Sequence, residues 1–308
     1  DAPQRELAIE RLAARPEPAF RHFAEAARSI HPLARRSGLI GLGRLVDPRA
    51  ATLLLDTLRV HASNDDERIL AMRGLAQLEL DALQSEQVYL LASPFLERAE
   101  PLVAGAACSA LGSSLAPQVP ALLAARLRHP EPFVREQAAA ALARAANEGD
   151  PNTLAAAAAA LHASTQRCRD AERGMMIWPP GELALQRYLL TVFAKAGRRV
   201  EEAGRVHVEL LIVYLGHPDA EVRTRAVDAL ETLSRAGALL AQEHWEQLGR
   251  WGRDGNPGVR ASVWALMERW LDSANPGLRR LLEDLARHFD TDCAQRAQAL
   301  LRDRRGLH

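Results

Sequence analysis

Apolar residues along this chain recur at intervals of three and four, the spacing that gathers side chains onto one face of an α-helix. With Arg135 of Val134-Arg135 as the reference, Ala138 lies three residues on and Leu142 seven residues on. The same phasing returns at Arg35 with Gly38 and Leu42, at Arg68 with Ala71 and Leu75, and at Arg223 with Ala226 and Leu230. Ala104 stands in for the arginine before Ala107 and Leu111, and Arg260 with Val263 and Met267 fits more loosely. Successive references are 33, 36, 31, 88 and 37 residues apart, the long interval being close to two ordinary units plus an insertion. Each such helix follows another apolar segment of helical length, at 19–29, 49–60, 86–98, 118–128, 205–216 and 242–253. Turns rich in Pro, Gly, Asn and Asp separate the segments. The pattern predicts antiparallel helix pairs. Neither member of a pair can bury its apolar face alone, so successive pairs must stack into a continuous core.

A period in this range belongs to helical-pair solenoids. The turns narrow it further: His129-Pro130 precedes Val134-Arg135, His217-Pro218-Asp219 precedes Val222-Arg223, and Asn256-Pro257 precedes Val259-Arg260. In these residues the chain resembles HEAT repeats, where such a turn leads into the second helix of a pair. The resemblance covers most of the chain and implies an all-α, right-handed α-α superhelix of about seven to eight antiparallel helix pairs. The expected organisation is a single solenoid over 1–308, with N-terminal repeats at 1–148, an irregular insertion with a loop at 149–181, and C-terminal repeats with closing helices at 182–308. Within the insertion, Asp150-Pro151 should start a helix through Leu154 to Thr165, followed by the non-helical run RCRDAERGMMIWPPG. Arg5, Ala8 and Leu12 repeat the phasing at the chain start, which fits either a second helix lacking its first or a lone cap helix. Starting at Asp1 without a methionine, the chain reads as a processed product or a fragment.

The resemblance also implies that second helices line a concave surface. Positions three and seven residues after the reference are assigned to the core, and positions one, four, five and eight after it are expected to face outward. That choice gives Leu39, Met72, Arg73, Ala140, Asp228, Glu231, Trp264 and Glu268 as candidate contact residues. Large apolar side chains around a small-residue floor at Ala139 and Ala140 suit an amphipathic helix or an extended peptide from a partner. A second candidate is the loop cluster Met175, Met176, Ile177 and Trp178 beside Pro179-Pro180, whose adaptable side chains could dock a partner or plug a break between repeats. The reference arginines are expected to be structural, paired as the resemblance implies with turn aspartates such as Asp65, Asp219 and Asp254.

Composition constrains the chemistry more than the fold. Apolar content is 48%, mostly Ala and Leu, and aromatic content only 5%, which favours close-packed helices. Lys+Arg and Asp+Glu are both 39, so no overall field draws the chain to nucleic acid or anionic lipid. Lys195 is the only lysine, as expected of a GC-rich coding sequence. Cys108, Cys168 and Cys293 are too few and too scattered for a disulfide framework or a zinc site. No apolar run approaches the roughly 20 residues that span a bilayer.

Enzyme signatures are missing: there is no phosphate-cradling glycine loop, no HExxH, no nucleophile elbow and no Cys/His cluster at metal spacing. His288 to Cys293 and Glu243-His244-Trp245 read as helix-end residues. These observations predict a non-catalytic scaffold or adaptor, without cofactor or metal, that presents a concave helical face to another protein or peptide. Neither nucleic acid nor membrane insertion is expected, and the compartment is read as cytoplasmic, an exported fragment being the alternative. The competing readings are a HEAT-like alkylpurine DNA glycosylase, for which Trp264 with Glu268 one turn later is the local echo, and a bilin lyase-like cofactor handler.

Overall fold

The computed structural model describes residues 2–13, 16–45, 47–60, 64–98, 100–147, 150–173, 179–197, 203–235, 242–270, 276–287 and 291–303. The regular structure among these residues is entirely helical, with no strand. A first helix, α1 (Ala2–Ala13), is followed by the pairs α2 (Pro16–Ala27) and α3 (Pro32–Leu42), α4 (Pro48–Val60) and α5 (Asp65–Leu75), α6 (Ala82–Ala92) and α7 (Pro101–Leu111), and α8 (Val119–Arg126) and α9 (Pro132–Ala145). The chain continues with α10 (Pro151–Arg173) and α11 (Glu182–Ala196), α12 (Ala203–Val213) and α13 (Ala220–Arg235), α14 (Gln242–Trp251) and α15 (Pro257–Trp270), and α16 (Pro276–Leu285) and α17 (Thr291–Asp303). The fold is therefore an all-α, HEAT-like solenoid of helix pairs.

Two compact units emerge. One comprises Asp1–Ala146 with Pro179–Leu185, the other Asn147–Trp178 with Gln186–His308. In the first, each helix packs on its partner, and the second helices α3, α5, α7 and α9 also pack on one another in sequence. In the second, α12 with α13 and α14 with α15 form pairs, α10, α12, α14 and α16 stack as successive first helices, and α13 packs on α15.

Local sequence explains the helix starts. Proline occupies the first turn of α3, α7, α8 and α9, where its missing N–H costs no hydrogen bond and its φ is already helical. Where proline is absent, side chains cap: Asn64 accepts from the Asp66 amide at the start of α5, and Asp81 with Gln84 forms a reciprocal capping box on α6. Helix α10 runs on to Arg173, well past the expected end near Thr165. Leu161, Ser164 and Cys168 continue one buried stripe, and Tyr214 donates to the Leu161 carbonyl at 3.1 Å, so tertiary packing carries the helix onward.

Glycine permits close approach of neighbouring second helices in the first unit. A Cβ on Gly43 would sit 2.5 Å from the Gly74 Cα, so any side chain there would push α3 and α5 apart. Gly112 meets Ala141 in the same way, at 2.8 Å from its Cα.

Candidate functional site

The reference arginines bind carbonyls first. One guanidinium nitrogen of Arg35 donates to Ser29 O at 3.0 Å and Ile30 O at 2.9 Å. Arg135 repeats this on His129 and Pro130, Arg223 on His217 and Pro218, and Arg260 on Asp254 and Gly255, at 2.7 to 3.1 Å. Each clamps the turn that introduces its own helix, through carbonyls six and five residues upstream. The remaining guanidinium face seeks a carboxylate: Arg35 bonds Glu67 at 2.8 Å, and Arg135 bonds the buried Glu182 at 2.8 Å. The expected pairing with a turn aspartate holds for Arg68 with Asp65. It fails for Arg223, because Asp219 binds Arg187 at 2.7 Å and accepts from the Val222 amide at 2.9 Å. It also fails for Arg260, because the Asp254 carboxylate accepts from the Asn256 amide instead.

The outward face needs correction. Leu39, Met72 and Trp264 are 1%, 0% and 2% exposed and belong to the core, so they cannot touch a partner. Each lies four residues after its reference, as do the buried Cys108, Ala139 and Val227. The cause is lateral packing: a second helix meets its own first helix on one side and second helices of adjacent repeats on its flanks, so its apolar stripe is wider than one seam. The open stripe runs instead through positions two, five and nine after the reference, a single helical line. It comprises Ser37, Ile40 and Arg44; Leu70, Arg73 and Gln77; Ser109 and Ser113, Ala106 being buried; and Gln137, Ala140 and Arg144. In the second unit it comprises Arg225, Asp228 and Thr232, then Ser262, Ala265 and Arg269. Arg73 and Ala140 of the expected set therefore face out, as do Asp228, Glu231 and Glu268 to differing degrees. Met175, Met176, Ile177 and Trp178 lie outside the described residues.

In the first unit this stripe borders a groove of about 510 Å³. Its floor is apolar, from Ile40, Leu70 and Phe133 on three second helices over the buried Leu39, and Gly43 and Gly74 leave it uncovered. Its polar margin holds Arg44, Arg73, Gln77, Ser109 and Gln137, with Glu6 of α1 opposite. The Ser109 hydroxyl lies 2.9 Å from Gln137 Oε1, an orientation that leaves the amide nitrogen of Gln137 free to donate. Arg73 is exposed and makes no hydrogen bond or ion pair with any described residue. Arg44 approaches only Glu10, at 3.9 Å.

The second unit treats its charges differently. Arg269 bridges Asp228 and Glu231, both at 2.6 Å, and Arg225 pairs with Glu221 at 2.7 Å. Arg187 joins Asp219 and Glu221 at 2.7 and 2.6 Å. Two of its histidines are held below their usual range: burial lowers His207, where its ring meets Phe193 edge-on, and burial likewise lowers His217 despite the opposing pull of Asp219. In the first unit, burial pushes the Cys108 thiol up to about 12 and raises the Glu136 carboxyl. Cys108 is thus an inert core group. No three His, Cys, Asp or Glu among the described residues are placed to hold a metal ion, and no described helix is long and apolar enough to cross a membrane. Trp264, the aromatic a glycosylase would need on the open face, is instead buried, with the Arg296 guanidinium 5.9 Å from its ring.

Comparison with known proteins places the fold and goes no further. No protein-family model matches the chain, and no curated protein does. A homology model of the full-length AP-3 complex in an intermediate open conformation superimposes with a TM-score of 0.64 at 13% identity, over 97% of this chain and 54% of that one. The crystal structure of an engineered protein gives 0.56 at 15% identity, over 96% and 82%. Kap121p bound to Pho4p gives 0.56 at 14% identity, over 92% of this chain and 31% of the other. The chain thus spans about half of the matched AP-3 chain and under a third of Kap121p.

Proposed function

We propose that this chain is a non-catalytic scaffold or adaptor whose second-helix face holds a segment of another protein, and that the groove of the first unit is the site. The observation that carries this reading is the groove itself: an open, apolar-floored channel crossing several helices, edged by unsatisfied donors and built on a packed scaffold. Such a site binds by shape and by few, preplaced polar groups, with little rearrangement of the host. Arg73 is its contact from the expected set, joined by Ile40, Gln77 and Gln137, while Ala140 continues the same open stripe beyond Gln137. In the second unit Glu268 is the remaining candidate, since Asp228 and Glu231 already hold Arg269. Helical-repeat chains of similar fold include Kap121p, whose structure is a complex with Pho4p, and this supports a protein partner.

Panning a random peptide-display library against the chain tests the reading. Selected peptides should lose binding to a Gln137→Trp variant, which fills the groove margin, provided that it keeps its helical circular dichroism and melting temperature. Failure to select any peptide, or equal binding to this variant and to Arg73→Glu, sinks the groove as the site.

A further inference from the structure

We infer that the groove of the first unit selects an acidic, extended peptide, its carboxylate side chains held by Arg73 and Arg44; this rests on the groove being a peptide site. Across the α3, α5, α7 and α9 stripes, positions two, five and nine after each reference include three arginines and no Asp or Glu. The α13 and α15 stripes, built on the same phasing, answer Arg225 and Arg269 with carboxylates at 2.6 to 2.7 Å. The difference leaves Arg73 as a positive charge at a groove margin, with Glu6 across the groove but no carboxylate of a described residue within ion-pair distance.

A guanidinium in this position offers a planar fork that matches a carboxylate in two parallel hydrogen bonds. The molecule already shows the preference in weak form: α1 brings Glu6 to the groove margin and Glu10 to 3.9 Å from Arg44. That separation is long for a hydrogen-bonded pair, so a better-placed carboxylate can displace it. The Gln137 amide nitrogen, with its oxygen beside the Ser109 hydroxyl, suits a backbone carbonyl of an extended chain. The floor of Ile40, Leu70 and Phe133 asks for apolar side chains between the acidic ones.

A nucleic acid strand is also anionic, but the groove suits it poorly. Phosphate-backbone binding accumulates affinity over many cationic contacts, and here two guanidiniums face an acidic Glu6 in a chain of zero net charge with no lysine in this unit.

Peptides selected by display, together with fluorescein-labelled poly-L-glutamate and oligo(dT), separate the outcomes in anisotropy titrations. The expected result is enrichment of Asp and Glu among selected sequences and a loss of affinity of about tenfold or more when their Glu residues become Gln. The same loss is expected in Arg73→Glu, and no loss in Arg269→Ala of the second unit. Poly-L-glutamate should compete with the selected peptides, and oligo(dT) should not. Selected peptides without acidic enrichment, or acidic peptides indifferent to Arg73→Glu, overturn the inference. If those peptides nonetheless fail on Gln137→Trp, the groove stands as a peptide site and only the charge preference falls. Stronger competition by oligo(dT) than by poly-L-glutamate overturns it in favour of nucleic acid.

Discussion

The two units use one repeat chemistry to opposite ends. On the α13 and α15 face, Arg269 closes on Asp228 and Glu231 and Arg225 closes on Glu221, so the surface is electrostatically finished. On the α3, α5 and α7 face the corresponding line carries Arg44 and Arg73 beside Ile40, Leu70 and Ser109, above a groove that glycines keep uncovered. Pairing exposed charges adds little to stability, so its main consequence is to remove donors from circulation. A face left open in this way is available to something else.

The largest effects should come from residues that look like surface in the repeat phasing and are core in the fold. Trp264→Ala should cost about 3–5 kcal/mol and Met72→Ala about 2–5 kcal/mol in urea unfolding. If either were a contact residue, stability would stay put and only binding would suffer. Next, Arg135→Met takes the guanidinium away from the buried Glu182, which is 1% exposed, together with the carbonyl clamp on its own turn, and should destabilise the first unit by about 3–5 kcal/mol. Partial recovery of stability on the second change Glu182→Leu would assign that part of the loss to the buried ion pair, the remainder belonging to the carbonyl clamp. Gly43→Val should cost about 1–3 kcal/mol by forcing α3 from α5, and should widen or collapse the groove while leaving the second unit intact, as amide exchange by mass spectrometry would resolve.

Acidification should separate the units. His207 and His217 stay neutral in the folded second unit because burial lowers their affinity for protons. Below about 6.5 the unfolded chain takes up protons that the folded unit refuses, so that unit loses stability as pH falls. Glu136 has the reverse sign: burial raises its carboxyl, the folded first unit holds a proton the unfolded chain has released, and this contribution is lost as pH rises. All five tryptophans, at 178, 245, 251, 264 and 270, belong to the second unit, so fluorescence melts report it alone. A fluorescence melting temperature that does not fall between pH 7 and about pH 5 would remove the histidine argument. The smallest effect is expected of Arg269→Ala, below about 1 kcal/mol, since the triad is solvent-screened and partly exposed.

The helix pairs were legible because burial imposes a three-to-four spacing and because proline and asparagine punctuate the turns. Arg135, Ala138 and Leu142 mark the buried face of α9 without ambiguity. The groove was legible only in part. The repeat phasing puts Arg73 on the open face, but it puts the buried Leu39, Met72 and Trp264 there as well, because a single sequence shows how wide an apolar stripe is and not how many neighbours share it. The Asp228 and Glu231 side chains look like a free acidic patch until Arg269, about forty residues away, is brought across them. That pairing has no sequence signal. The carbonyl clamp was hidden for a different reason: backbone acceptors are the same at every residue, so the arginine pointed to an acid that often is not its partner.

The clamp has a bearing on how such an array could lengthen. Its acceptors lie five and six residues before the arginine, inside the turn that any copied repeat would bring with it. The carboxylate link is the optional half: Arg35 reaches Glu67 and Arg135 reaches Glu182, whereas Arg260 keeps only its carbonyls among the described residues. A duplicated segment thus arrives with its own fastener, and the chain can gain or lose a repeat without first finding a new acidic neighbour for each arginine.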